Sequence, residues 1–447
     1  MTLKISISGV RGIVGESLSP EICLAFAQAF GSYLGGGKVV VGMDTRFSGP
    51  ALKSAVFAGL LACGCETIDL GICPTPTVQL MVKELKAKGG LVVTASHNPG
   101  EWNGLKFIRE DGIFLNAKEA GKLIEMYENK DFCATPFDDW ERIQTDPSAI
   151  YNHVRHVLKL VNAKAIRKAK LKVAMDCCNG AGCKITLLLL KELGCKVYSI
   201  NTDLTKPFPR NPEPIPENLK DLCDLVKAKK ADVGFAQDAD ADRLAIVDEN
   251  GVAIGEENTL VIAADYVLGK SKDKKKILVT NLSTTRAADD VARKHHALVI
   301  RTKIGEVNVT EEMKAVHATI GGEGNGGVIW PAIGYSRDSL AGIALTLARM
   351  AESKQTVTEL LSQFPKYTII KKKISCKSLS DAADLIEGIK KLFDGSPLDL
   401  TEGVKVNFPD GWLHVRASNT EPIVRVIAEA TSEKRAEEII ASAMKAH

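Results

Sequence analysis

One pattern recurs three times along the chain and constrains its fold more than any other feature. A β-branched run ends in an acidic or amide residue, a helical stretch follows, and a second β-rich run closes the unit. The three copies are KVVVGMDTRFSGPALKSAVFAGLLACGCETIDLG, LKVAMDCCNGAGCKITLLLLKELGCKVYSI and KKILVTNLSTTRAADDVARKHHALVIRT, and their first runs end at Asp44, Asp176 and Asn281. Strands alternating with helices of roughly 10–15 residues make βαβ units and largely parallel sheets. The expected fold is therefore α/β, with three related α/β domains whose sheets are mixed but largely parallel. These are placed at residues 1–148, 149–252 and 253–366. From about residue 367 the pattern changes. GVKVNFPDGWLHVRASNTEPIVRVIAEAT alternates like an antiparallel hairpin with Asp410-Gly411 as its turn, and a helix is predicted from about Ser432 to Lys445. Residues 367–447 are expected to form a C-terminal α+β domain.

Bulk properties exclude several classes. A length of 447 residues fits two to four domains. A net charge of +3 with dispersed lysines gives no basic face for nucleic acid. The opening MTLKISISGVRG has no apolar signal core, and no run approaches the ~18 apolar residues of a membrane span. The eleven cysteines are odd in number, and neither Cys63/Cys65 nor Cys177/Cys178 has C-x-x-C spacing. They read as small buried hydrophobes in a reducing compartment, so the chain is expected to be cytoplasmic.

Four motifs carry chemistry. Thr94-Ala95-Ser96-His97-Asn98-Pro99 follows the run GGLVV and so lies at the carboxyl end of a strand, where open α/β sheets place ligands. Ser96 there reads either as an exposed nucleophile or as part of a polar turn. No G-x-S-x-G elbow surrounds it. Asp238-Ala239-Asp240-Ala241-Asp242-Arg243 places carboxylates at alternate positions, which converge only around positive charge. All-oxygen ligation suits Mg²⁺ or Ca²⁺. An EF-hand is rejected, because Arg243 occupies the position that needs glycine and the flanks read as strands. Mg²⁺ commonly shares its shell with a phosphate oxygen, so this loop predicts a phosphoryl group nearby. Arg416-Ala417-Ser418-Asn419-Thr420-Glu421-Pro422, with Arg425 beyond it, suits a bound phosphate or a capped turn. Gly321-Gly322-Glu323-Gly324-Asn325-Gly326-Gly327 offers a carboxylate and an amide to sugar hydroxyls, and has no Walker lysine.

Together with Gly9-Val10-Arg11-Gly12, Asp44-Thr45-Arg46-Phe47-Ser48, Asn103-Gly104-Leu105-Lys106 and Asn211-Pro212-Glu213-Pro214, these motifs resemble the α-D-phosphohexomutase superfamily over essentially the whole chain. MTLKISISGVRG, TASHNPGEWNGLKF, TKIGEVNVTEEMK and GGEGNGGVIWP are most similar to its bacterial phosphoglucosamine mutase branch. Two departures stand out. Ala239 and Ala241 occupy places where the family's metal loop usually has glycine. In a sugar loop that often reads Glu-x-Ser-Gly-His, Asn325 replaces the serine and Gly327 the histidine.

The resemblance implies four domains around a central cleft. It also implies conversion of glucosamine 6-phosphate to glucosamine 1-phosphate, a step toward UDP-N-acetylglucosamine, by a monomer or homodimer. Glucose or mannose phosphates are the alternative substrates. It implies a phosphorylated Ser96, one Mg²⁺ held by Ser96, Asp238, Asp240 and Asp242, and a sugar 1,6-bisphosphate as intermediate and activator. Glu323 and Asn325 would hold hydroxyls in both sugar orientations. Arg416, Ser418, Asn419 and Thr420 would hold the distal phosphate, with Arg425 in support. Arg243 and Lys303 would contact the substrate or, for Arg243, anchor the metal loop. Arg11, Lys106 and His97 are the acid–base and charge-supplying candidates. Lys106 is preferred as base, on the expectation that desolvation beside cations lowers its pKa. His97 reads equally as a structural hydrogen-bonding residue.

Overall fold

Each repeat folds as its pattern requires, and all three share one sheet topology. The computed structural model describes residues 3–7, 9–417 and 423–444. In the first unit, strand Gly37–Met43 lies parallel to Cys65–Ile72 on one side and to Gly89–Val93 on the other. The strand Trp102–Arg109 then returns antiparallel to Gly89–Val93. The second unit repeats this with Lys172–Asp176, Lys196–Ile200, Val233–Gln237 and the antiparallel Leu244–Val247. The third does so with Ile277–Asn281, Leu298–Thr302, Ile320–Glu323 and the antiparallel Gly327–Ile329. The first sheet is extended to seven strands by Lys4–Ser6 and Gly9–Ile13 at one edge and Gln144–Thr145 at the other.

Burial on both faces explains why the inner strands read as unbroken apolar runs. Gly89–Val93, Val233–Gln237 and Ile277–Asn281 are buried at every position. In the first sheet Val39 and Val41 pack into one cluster and Val40 into another on the opposite face. Each fully buried aliphatic side chain contributes roughly 1.5–3 kcal/mol, so the sheet centres anchor the loops at their ends.

The last sheet is wholly antiparallel, in the order Thr368–Ser375, Ile423–Ala430, Gly411–Ala417, Val404–Phe408, Leu398–Asp399. Its hairpin turn is one residue earlier than the sequence predicts. Phe408 pairs with Gly411, so Pro409 and Asp410 form the turn and Gly411 opens the next strand. Gly411 is there for space and not for turn geometry, since a Cβ would stand 2.1 Å from the Glu429 carbonyl oxygen. The closing helix runs Glu433–Ala443, with Ser432 capping it by accepting from the Arg435 N–H. Among the described residues no helix is long and apolar enough to cross a membrane. All eleven cysteines are free.

Candidate active site

The shared topology sets three loops at equivalent places, each at the turn between the third strand of its unit and the antiparallel fourth. These are the Ser96 loop, the aspartate loop and the Glu323 loop. The residue at the end of the first strand of each unit, or just beyond it in the case of Asp44, braces the adjacent loop. Asp44, Asp176 and Asn281 each accept the backbone N–H two residues on, at 3.0, 2.8 and 2.9 Å. Asp44 then pairs with Arg46 Nε at 3.0 Å, and Asp176 with Arg210 Nε at 2.7 Å. Arg210 donates onward to the Gln237 carbonyl at 2.8 Å, at the start of the aspartate loop. Asn281 donates directly to Glu323 Oε1 at 2.9 Å.

Arg46 shapes the serine loop. Its five N–H groups are all engaged: Nε with Asp44, Nη2 with the carbonyls of Ser96 and Asn98 at 2.8 Å each, and Nη1 with those of Pro99 and Trp102 at 2.5 and 2.9 Å. Thr94 Oγ1 accepts from the Ser96 N–H at 2.9 Å. Ser96 is held with φ of 51°, a left-handed conformation that is uncommon for residues other than glycine. Its Oγ is thereby turned to 3.0 Å from Asp238 Oδ2.

The three aspartates converge, their nearest carboxylate oxygens lying within 4.8 Å of one another, all buried. Ala241 adopts φ of 53°, so of the two alanines in family glycine positions this one bears the left-handed strain, while Ala239 does not. Asp238 Oδ1 accepts from the N–H groups of Asp242 and Arg243 at 3.1 and 3.2 Å. Burial, with Asp242 and Asp240 beside it, pushes Asp238 well above the usual carboxylate range. Against their burial, Asp240 is held low by Lys106 and Thr75, and Asp242 by Arg337, Lys106 and Arg243. Asp240 Oδ1 and Asp242 Oδ1 are buried with no hydrogen-bond partner. Two orphaned carboxylate oxygens beside a third carboxylate are the donor set a hard divalent cation takes. Asp238, Asp240 and Asp242 therefore fit Mg²⁺.

Cations ring this cluster. Lys106 Nζ lies 2.7 Å from Asp240 Oδ2 and 3.1 Å from Asp242 Oδ2. Burial lowers the pKa of Lys106, but the two aspartates outweigh it and the net direction is upward, the reverse of the expected lowering. The carboxylates lie in direct contact with Nζ and so outweigh Arg337 and Arg11. Arg11 donates to Asn98 Oδ1 at 3.2 Å, and its own pKa falls through burial with Arg243 and Arg337 beside it. Arg243 donates to Glu213 Oε1 at 3.3 Å. His97 is kept neutral by Arg243, burial and Arg11. Its Nδ1 is buried without a partner, which leaves that atom no structural hydrogen bond to serve.

The Glu323 loop closes the site from the third unit. Glu323 Oε1 accepts from Asn281 and the Gly305 N–H (2.9 and 3.1 Å), and Oε2 from Arg337 and Asn325 (2.9 and 3.3 Å). Lys303 is exposed two residues before Gly305. Glu402 links this region to the C-terminal sheet, accepting from the Ile304 N–H at 2.6 Å and from Arg416 Nη1 at 3.2 Å. Arg416 and Arg425 are directly opposed cross-strand partners, and Arg416 Nε is buried without a partner. Like charges so placed repel unless an anion lies between them. Ser418, Asn419 and Thr420 lie outside the described residues.

Sequence reasoning gave no role to Arg46, Arg210, Thr75 or Arg337. Arg46 sits in a quoted motif, yet its partners are backbone carbonyls that no side-chain pattern reveals. Arg337 stands in Ser336-Arg337-Asp338-Ser339 before an apolar helix, where a capping run masks it.

Four family models match consecutive parts of the chain: Phosphoglucomutase/phosphomannomutase, alpha/beta/alpha domain I over residues 3–134, domain II over 151–251, domain III over 256–367, and the C-terminal domain over 372–446. A phosphoglucomutase/phosphomannomutase of Thermococcus kodakarensis is 40% identical over 445 residues, covering 98% of this chain and 96% of that one. A phosphoglucosamine/phosphogalactosamine mutase of Sulfurisphaera tokodaii is 33% identical, covering 97% and 96%. The crystal structure of a phosphoglucomutase/phosphomannomutase family protein from Burkholderia thailandensis superposes with a TM-score of 0.85 at 27% identity, covering 99% and 97%.

Proposed function

The chain belongs to the phosphoglucomutase/phosphomannomutase family and is a phosphohexomutase, and from that premise we propose that it interconverts glucosamine 6-phosphate and glucosamine 1-phosphate through phosphorylated Ser96. The observation that carries the mechanism is Ser96 Oγ held 3.0 Å from Asp238, beside two buried aspartate oxygens that accept no hydrogen bond. Asp238, Asp240 and Asp242 would hold Mg²⁺ with a phosphoryl oxygen on Ser96, and the cation would supply positive charge at the moving phosphoryl group.

The chain's own residues supply the rest. Arg46 holds the Ser96 backbone so that the nucleophile is presented without reorganisation. Arg11, Arg243 and Lys106 place positive charge around the transferring group. Lys106 Nζ, 2.7 Å from Asp240 and 3.1 Å from Asp242, would stand as a charge-supplying group beside the reacting oxygens. His97, kept neutral by Arg243, burial and Arg11, resists protonation and would offer the ligand a neutral ring nitrogen for hydrogen bonding, not a base. Arg416 and Arg425, with Ser418, Asn419 and Thr420, would grip the phosphate that is not reacting. Glu323 and Asn325 would hold hydroxyls of a sugar 1,6-bisphosphate in either orientation, and Lys303 would reach the same ligand.

The amino-sugar assignment is supported by the runs TASHNPGEWNGLKF and TKIGEVNVTEEMK and by relatives named as phosphoglucosamine mutases, that of Sulfurisphaera tokodaii among them. Comparison of kcat/KM on glucosamine, glucose and mannose 6-phosphates tests it, with glucosamine expected to lead. A second reading, glucose or mannose phosphate as substrate, is favoured by the 40% identical relative and would be established by the opposite order. Release of free phosphate at the mutase rate would instead indicate a phosphatase, and binding without turnover a sensor.

A further inference from the structure

Carboxylates from two units meet at one guanidinium that the proposed mechanism does not use. Arg337 directly precedes the Asp338 cap of helix Ser339–Ser353. Its Nη2 donates to Asp242 Oδ2 at 2.6 Å and its Nη1 to Glu323 Oε2 at 2.9 Å. Its Nε lies 3.1 Å from Glu306 Oε2, and its backbone N–H donates to Glu306 Oε1 at 3.1 Å. The side chain is 9% exposed. One arginine thus joins the aspartate loop of the second unit to the Glu323 loop of the third.

Two further observations give this arrangement a consequence. A Cβ on residue 327 would stand 2.3 Å from Arg337 Cδ, so the glycine at 327 is the path by which the arginine reaches Glu323 and Asp242. Asp242 is also divided between its two oxygens. Oδ2 is taken by Arg337 and Lys106, while Oδ1 is buried with no hydrogen bond and only Arg243 Nε beside it at 3.9 Å. Asp240 is divided the same way, with Lys106 and Thr75 on Oδ2 and nothing on Oδ1.

We infer that Arg337 is a positioning residue that restricts Asp242 to ligation through one oxygen, and so makes the site select Mg²⁺ over Ca²⁺ while fixing Glu323 in the same clamp. The inference rests on the aspartate loop being a cation site. Ca²⁺ takes 6–8 oxygens and readily accepts bidentate carboxylates, whereas Mg²⁺ demands a small octahedral shell. An oxygen already accepting from two cationic donors is not free to swing onto the metal. The geometry needs a guanidinium, because its fork reaches two carboxylates at once and an ammonium is a single point of charge.

The test is calorimetric titration of the metal-stripped, dephosphorylated full-length protein with MgCl₂ and, separately, CaCl₂, for the unaltered chain, Arg337→Met and Arg337→Lys. The ratio of the Ca²⁺ to the Mg²⁺ dissociation constant is expected to fall at least tenfold in both variants, mainly through tighter Ca²⁺ binding. A loss of packing alone would weaken both ions together and leave the ratio where it was. Arg337→Lys keeps a cation among the carboxylates and decides the matter if Arg337→Met does not fold. A ratio within twofold of the unaltered chain in folded Arg337→Lys overturns the inference. Failure of the unaltered chain to bind either ion would overturn the cation-site reading beneath it, and the two failures are therefore distinct.

Discussion

Arg46 Nη2 donates to the backbone carbonyl of Ser96 at 2.8 Å, and the same guanidinium is tied to buried Asp44. The nucleophile's position is thus set by an arginine fifty residues away in sequence whose N–H groups are all spent on protein oxygens. Arg46→Lys keeps the charge but cannot engage four carbonyls. It is expected to lower kcat on the order of a hundredfold, as a misplaced reacting group does, with KM little changed. Arg46→Met would leave Asp44 buried and unpaired and should destabilise the protein by about 3–5 kcal/mol. Steady-state kinetics and denaturant titration separate the two effects. An Arg46→Lys enzyme with full kcat would refute this assignment.

Ser96→Ala is expected to lower turnover about a thousandfold or more, the scale seen when a nucleophile is removed, while the melting temperature stays near that of the unaltered chain. Intact-mass spectrometry on the unaltered protein should show a phosphorylated fraction that disappears on incubation with excess hexose phosphate lacking bisphosphate. Appreciable mutase activity in Ser96→Ala would exclude the phosphoserine route.

The aspartate cluster predicts opposite effects of one substitution with and without metal. Asp238 is pushed up by burial and by Asp242 and Asp240, so one charge too many is packed there. Asp238→Asn keeps an oxygen for the Asp242 and Arg243 N–H groups and removes that repulsion. In EDTA it should melt no lower than the unaltered chain. Addition of Mg²⁺ at a hundred times its dissociation constant should stabilise the unaltered chain by about 2.7 kcal/mol and leave Asp238→Asn unmoved. Equal stabilisation of both by Mg²⁺ would place the ion elsewhere.

These positions show what the sequence could and could not reveal. The three βαβ units were legible because their hydrophobic periods are local, and the strand-ending Asp44, Asp176 and Asn281 marked where loops would gather. The aspartate triplet was legible because alternate carboxylates in a six-residue run need a cation. The pKa of Lys106 is not legible in the sequence, since Asp240 and Asp242, which raise it, come from 134 and 136 residues away and spacing cannot rank them against Arg11 or Arg243. Arg337 was missed for the same reason, because its meaning lies in partners from other segments. The hairpin was assigned one residue late because Asp-Gly is a frequent turn, whereas Gly411 answers to a neighbouring strand.

Glu257 supplies a pH dependence. It accepts the Thr285 N–H at 2.9 Å beneath the Glu323 loop, and burial pushes its pKa up to about 8, against the opposing pull of Lys371. A raised carboxyl pKa means that the folded protein keeps a proton the unfolded chain has already lost. Its contribution is therefore complete below about 4.5 and is lost as pH rises to about 8. Glu257→Gln retains an acceptor for Thr285 and cannot ionise. The unfolding free energy of Glu257→Gln relative to the unaltered chain, from denaturant titration, should climb from pH 4.5 to pH 8, by up to ~1.4 kcal/mol per pH unit, and then level off. A difference independent of pH across this window would show that Glu257 titrates normally.

The opposed arginines of the last sheet give a final test. Arg416 and Arg425 face each other across paired strands, and the buried Arg416 Nε has no partner. Directly opposed like charges cost roughly 0.2–1 kcal/mol, so Arg425→Gln should melt slightly higher than the unaltered chain when no anion is present. The same substitution removes a charged donor from the phosphate, worth ~1.5–3 kcal/mol, and should raise KM for hexose phosphate about ten- to a hundredfold. Inorganic phosphate should stabilise the unaltered chain more than the variant. If Arg425→Gln lowered the melting temperature and left KM alone, the pair would be a structural feature of the sheet and the distal phosphate would have to be held by other groups.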